Sequence, residues 1–380
     1  MDPTKPDGPE EEDLRGARPE RVIDLRDEAA IPPEIVFETI GPTALPHEIR
    51  IAAREGAVPR DTLENLRQVW PWIWVLPHAD IRRIQRLLTE FPAHVLVLPP
   101  EPDSAPLADA ARGVASSIRI LAATEPAVEV RRAPEWAALA IPSDAAPPLW
   151  VLAVLALRAV PEGSARWGWV QTLLGVVDSA HRGLRGGGPP ERGHVAGSFE
   201  LVLRLALDEA DRSLEGFAGR SFRVAELSRR IAEAMQLPSR EVEAARLAGL
   251  FHDLGMHLVT SPDILGRPGP LGEDEWSLVR SHPGASMVAA APLGNPSAGV
   301  AILDHHERLD GSGYPRGKRG DAVTPATRVV AVADAFEAMT HPRPHRAALG
   351  SGEAVEALRT QVTEGRLDRA AVESLATLNR

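Results

Sequence analysis

Four histidines and two aspartates stand in four short motifs: His252 and Asp253 in FHDLGM, His282 in RSHPGAS, His305 and His306 in DHHERLDG, and Asp334 in AVADAFEAMT. Most have a small or apolar residue one helical turn earlier. Ala248 and Gly249 precede His252, Ala301 precedes His305, Ile302 precedes His306 and Val330 precedes Asp334, so helices would turn these groups toward a core. Buried carboxylates and imidazoles are costly to desolvate without partners, and one shared cation would satisfy them together. Any single histidine reads better as a hydrogen-bonded core residue; six ligand-type residues in four motifs point to a metal centre. The chain has no cysteine, which excludes disulfides, thiolate ligands and cysteine nucleophiles. Carboxylate plus imidazole suits iron, manganese, nickel or zinc. A carboxylate such as Asp253 can bridge two such ions, about 3.5–4 Å apart, and such pairs activate water and clamp a phosphoryl group during in-line displacement.

The stretch DHHERLDGSGYP, Asp304 to Pro315, also carries the single tyrosine of the 380-residue chain, Tyr314. In isolation it reads as a helix end followed by a tight turn in which Gly311 and Gly313 supply positive φ angles. A second Gly-rich stretch, HRGLRGGGPPERG from His181 to Gly193, lacks the lysine and hydroxyl residue of a phosphate-binding loop and reads as a linker.

These groups need a scaffold, and the chain is long enough for two domains or three, with 44% apolar residues to build cores. Residues 1–30 hold nearly half of the net charge of −11 and few large apolar groups, so a disordered acidic, Pro-rich tail is expected. Residues 31–181 mix helical and strand patterns and predict a small α+β domain. There WPWIWVLP places Trp70, Trp72 and Trp74 at period two, which reads as a buried strand face. The linker covers residues 182–197. From 198 to 380 helical periodicity dominates, as where Arg220, Val224, Leu227 and Ile231 share one face, and the fold is read as mainly α. The apolar run Pro147–Pro161 contains Arg158 and is too short to span a bilayer, so a buried helix is expected there. The acidity argues against nucleic-acid binding. The N-terminus does not have the basic-then-apolar pattern of a signal peptide, and a cytoplasmic protein without membrane attachment is expected.

The motifs HDLG, HPGAS, HHERLDGSGYPRGKRG, VADAFEAMT and RPHR, in this order and followed by LDRAAVESLATL, resemble the HD-GYP branch of the HD phosphohydrolases over nearly half the chain. The resemblance implies an all-helical bundle, a centre of one or two divalent transition metal ions with iron or manganese foremost, and hydrolysis of cyclic di-GMP or a related cyclic dinucleotide in bacterial signalling. It implies His252, Asp253, His282, His305, His306 and Asp334 as metal ligands, with Asp253 also the catalytic carboxylate. Tyr314 would wall the substrate, and Arg316, Lys318 and Arg343 would contact phosphate. The α+β domain, placed ahead of a signalling domain, would serve regulation by a protein partner or dimerisation.

Three positions depart from the family pattern. Arg220 stands where the first metal-binding histidine is expected, Gly216 where three-metal members carry glutamate (Glu215 is one position off), and Met256 where a lysine is expected. A guanidinium has no lone pair for a metal and stays protonated. Arg220 is therefore expected to occupy part of the first metal position, pairing with Asp253 or Asp334. His257 reads as a helix-end histidine. The alternative to an enzyme is a degenerate domain that senses the nucleotide or serves as a scaffold.

Overall fold

The computed structural model describes residues 44–45, 49–70, 72–76, 81–90, 92–99, 101–124, 133–160, 164–186, 189–212, 218–260, 264, 270–342 and 347–379. The acidic stretch 1–30, expected to be disordered, lies outside them.

From Ile51 strands and helices alternate: β1 (Ile51–Arg54), α1 (Arg60–Val69), β2 (Ile73–Leu76), α2 (Ile81–Glu90), β3 (Val95–Leu98), α3 (Ser104–Val114), β4 (Arg119–Thr124) and β5 (Leu139–Pro142). The strands form one sheet in the order β2-β1-β3-β4-β5, every pair parallel, with Ile51 opposite both Ile73 and Val95. Runs such as HVLVL suit strands covered on both faces. Ile51, Val95, Val97, Leu121 and Ile141 face one apolar cluster; Ala52, Leu96, Leu98, Ile120 and Ala122 face another, closed by Ile84 and Leu88 of α2 and Leu107 and Ala111 of α3. The expected mixture of α and β holds, and its alternation supplies the crossovers that parallel pairing needs.

The tryptophan stripe is not a buried strand face. Trp70 is buried at the end of α1, but Trp72 is 52% exposed and Trp74 only half-buried. β2 is an edge strand, and its apolar demand is met by Ile73 and Leu76 instead. Trp72 and Trp74 line an open pocket with Arg50, His94 and Arg158.

The apolar run forms α4 (Pro147–Ala159), with proline in its first turn, where a missing N–H breaks no helical bond. Every residue from Pro148 to Leu157 is buried, because one side lies on the sheet and the other on the helices that follow. Those are α5 (Ala165–Gly186), α6 (Pro189–Arg212), α7 (Arg220–Ala234), α8 (Ser239–Phe251), α9 (Met256–Val259), α10 (Glu273–Arg280), α11 (His282–Ala290), α12 (Pro296–Asp304), α13 (Pro325–Thr340), α14 (Ser351–Thr363) and α15 (Arg369–Leu378). The mainly α fold is thus as expected. Among the described residues no helix is long and apolar enough to cross a membrane.

The stretch 182–197, read as a Gly-, Pro- and Arg-rich linker, is helical at 182–186 and 189–197. A glycine costs a helix only about 1 kcal/mol, and Pro189 and Pro190 fall in the first turn of α6. Packing of α5 on α6, joined by Trp169 donating to the Ala206 carbonyl at 2.6 Å, outweighs that cost.

Candidate metal centre

The groups singled out in the sequence meet where helices end. His252 and Asp253 follow the last turn of α8, His282 opens α11, His305 and His306 follow α12, and Asp334 lies within α13. His252, Asp253, His282, His305 and Asp334 are buried, and His306 is partly so.

His252, His282 and His305 share one anchoring device. Each aims Nδ1 at the carbonyl three residues back: Gly249 at 2.9 Å, Val279 at 2.5 Å and Ile302 at 2.7 Å. Only an N–H can make that bond, so Nδ1 carries the proton and Nε2 presents a lone pair to the interior. The Nε2 atoms of His282 and His305 then face each other at 3.2 Å, with Asp253 Oδ1 at 3.3 and 4.0 Å. Two lone pairs at that distance repel unless a cation lies between them. Two nitrogens about 2.1 Å from one ion sit about 3.0–3.4 Å apart at ordinary coordination angles, so the spacing fits. Asp253, His282, His305 and His306 each bring one donor atom within 4.8 Å of the others.

Protonation does not compete for the three imidazoles of this group near neutral pH. Burial pushes His282 down to about 4. Burial, with the neighbouring imidazoles, holds His305 and His306 well below the usual histidine range. Neutral imidazole is the ligating form.

A second group, His252, Asp253 and Asp334, also closes within 4.8 Å. Arg220, the first residue of α7, reaches into it. Its NH1 pairs with Asp253 Oδ2 and lies 3.3 Å from His252 Nε2, its NH2 pairs with Asp334 Oδ1, and its Nε donates to Glu337 at 3.1 Å. Burial alone would raise the Asp334 carboxyl, but the Arg220 guanidinium beside it outweighs burial and holds Asp334 well below the carboxylate range. The donors of this group are already engaged by Arg220, and they do not fit a metal ion alongside it.

The glycine-rich turn closes one wall. Tyr314 stacks on His306 with ring centroids 4.7 Å apart, and burial pushes its phenol up. Arg316 and Lys318, expected at phosphate, are held by the Asp304 carboxylate, which has no solvent exposure. Arg316 NH2 lies 2.6 Å and Lys318 Nζ 3.0 Å from it. Glu307, also buried, accepts from the backbone N–H groups of Arg316 at 2.6 Å and Lys318 at 3.0 Å. Met256 is buried, and buried His257 packs on Trp169, apart from both donor groups. Arg343, Gly216 and Glu215 lie outside the described residues. The sequence reading missed Asp304, Glu307 and Glu337. It also missed Arg280, an exposed guanidinium at the end of α10 whose CZ lies 5.9 Å from the Tyr314 ring centre. Only their one-turn spacing from Asp334 (for Glu337) and the closeness of Arg280 to His282 could have marked them.

The profile of the HD domain matches residues 204–371, which hold both donor groups. This segment is an HD domain. Its Gly313-Tyr314-Pro315 turn and its curated relatives place it in the HD-GYP branch. The chain is 40% identical over 149 residues, 39% of its length, to the 3'3'-cGAMP-specific phosphodiesterase 1 of Vibrio cholerae serotype O1. It is 37% identical over 174 residues, 44% of its length, to the cyclic di-GMP phosphodiesterase response regulator RpfG of Xanthomonas campestris pv. campestris. A cyclic di-GMP phosphodiesterase of Thermotoga maritima is 38% identical over 152 residues, 39% of the chain. The matched regions span 34%, 44% and 40% of those three proteins, so the likeness concerns the HD domain.

Proposed function

We propose that the HD domain hydrolyses a phosphodiester bond of a cyclic dinucleotide, cyclic di-GMP or its 3'3'-linked cGAMP relative, in a metal-dependent reaction. The carrying observation is the convergence of the His282 and His305 lone pairs on Asp253. The names of the relatives support the substrate class.

Asp253, His282, His305 and His306 are the residues that would hold the ion, and iron or manganese matches this oxygen and nitrogen set. When bound, such an ion polarises a phosphoryl oxygen and makes a coordinated water acidic enough to supply a nucleophile near neutral pH. The chain supplies orientation. The Nδ1 anchors fix each imidazole plane before any ligand arrives, so little ordering remains to be done on binding. Tyr314, braced on His306, offers a ring beside the ion site for a base to lie against, and Arg280 brings the exposed cation at that rim for a phosphate. Asp304 and Glu307 keep the turn in place through Arg316 and Lys318.

The test uses the full chain loaded anaerobically with Fe²⁺ or with Mn²⁺ and incubated with cyclic di-GMP or 3'3'-cGAMP. A linear dinucleotide should appear by chromatography and vanish with chelator and in His305→Ala. Intact dinucleotide after hours with metal bound would sink the enzymatic reading. Tight binding without turnover would then favour a nucleotide sensor.

A further inference from the structure

We infer that Arg220 is a built-in substitute for one of two metal ions, so that the centre takes a single ion at Asp253, His282, His305 and His306. The three nitrogens of its guanidinium each engage a group of the second donor set or its neighbour. NH1 meets Asp253 and His252, NH2 meets Asp334, and Nε meets Glu337. The side chain is buried, with 7% exposed, which removes the reading of a solvated arginine that happens to lie nearby.

Charge and geometry agree. Asp253, Asp334 and Glu337 form a nearly buried trio of carboxylates, which like-charge repulsion would make untenable without cations. Arg220 supplies one positive charge and Arg223, donating to Glu337 at 2.6 Å, a second. The side left without a guanidinium is the one where Asp253 Oδ1 faces the two imidazole lone pairs. Asp253 is therefore shared, with Oδ2 on a guanidinium and Oδ1 toward a metal. Glu337 follows from the same logic. A metal at the second position would need only His252, Asp253 and Asp334, whereas a guanidinium has a further N–H edge, and Glu337 is the carboxylate that meets it. Arginine is permanently charged and cannot be removed by chelation, so this half of the cationic site is always present. The substitution also fixes what is lost. A guanidinium can neutralise charge on a phosphoryl oxygen but cannot lower the pKa of a bound water, so all activation of water falls to the single ion.

The metal count rests on the metal-dependent reading above and not on the substrate, so it is tested without nucleotide. The metal-free full chain is titrated with Mn²⁺, and bound metal is measured by elemental analysis and by electron paramagnetic resonance. About one ion per chain and the hyperfine sextet of an isolated Mn²⁺ are expected, against about two ions and an exchange-coupled spectrum in Arg220→His, which offers an imidazole in place of the cation. Two coupled ions in the unaltered protein would overturn the inference. So would a folded Arg220→His variant, checked by circular dichroism, that stays at one ion. If that variant does not fold, the count and spectrum of the unaltered protein decide alone. A protein that binds one ion and leaves every dinucleotide intact fails the proposed activity and keeps this inference.

Discussion

Asp304 belongs to neither donor group, yet it sets the position of the turn that carries Tyr314. Its carboxylate is fully buried and balanced by Arg316 and Lys318, both of them mostly buried as well. Removing one member of such a cluster leaves uncompensated charge in a poorly solvated place, which costs about 3–5 kcal/mol. Asp304→Asn keeps the shape and removes the charge, so its urea midpoint should fall by an amount of that order. A midpoint unchanged from the parent would show that the two cations find solvent or another carboxylate at no cost. This residue also shows where sequence reading stops. The six histidines and aspartates of the two donor groups were legible because they fall in four short motifs, most of them with a small or apolar residue one helical turn earlier. Asp304, Glu307 and Glu337 share those motifs, but a carboxylate ordinarily faces water, and only the partner across space reveals that it does not. Arg220 was legible as an inward-facing cation from its helical face, while Arg316 and Lys318 look the same in sequence whether they meet phosphate or Asp304.

Among the elements, the ends of α8 and α11 must nearly touch for Asp253 and His282 to share a ligand. Gly255 permits this. A methyl at that position would overlap the His282 carbonyl and come within 2.7 Å of the Ser286 N–H nitrogen, both of them backbone and unable to swing aside. Ser286 completes the junction, its hydroxyl accepting from the Gly255 N–H at 2.7 Å and donating to the His252 carbonyl at 2.6 Å. Gly255→Ala should therefore lower stability by about 1–3 kcal/mol through overpacking and weaken Mn²⁺ binding in the same variant, because the overlap pushes His282 from Asp253. Calorimetric titration with Mn²⁺ and thermal melts read the two effects. Lost stability with unchanged affinity would mean that the junction supports the fold without setting the ligand geometry. Helical elements were the most readable part of the chain, since their apolar faces repeat every three to four residues. The helices at 182–197 were not legible because glycine and proline report local preference only, and the partner helix that overrules them lies beyond any local window.

At the scale of the molecule, one apolar cluster runs from Ile51, Val95 and Leu121 of the sheet through Leu149 and Leu152 of α4 to Met287, Ile302 and Val330 around the donor groups. α4 packs on α9 and α11, the elements that follow Asp253 and carry His282. From α5, the buried Arg166 donates to the His257 carbonyl at 2.5 Å, and the Ala44 carbonyl lies against Gly284, where a methyl would overlap it. The two halves are thus coupled through the helices that build the metal centre. The HD domain cannot be cut free within residues 182–197 without uncovering the α4-facing sides of α9 and α11, at about 1.5–3 kcal/mol for each large apolar side chain returned to water. A few such side chains equal the whole stability of an ordinary domain. Calorimetry of the full chain should accordingly show one unfolding transition, and a fragment beginning at residue 198 should melt without cooperativity and hold no Mn²⁺. Two separate transitions, or a fragment that melts cooperatively at the temperature of the full chain and keeps its ion, would mean that the shared core is a contact between independent domains.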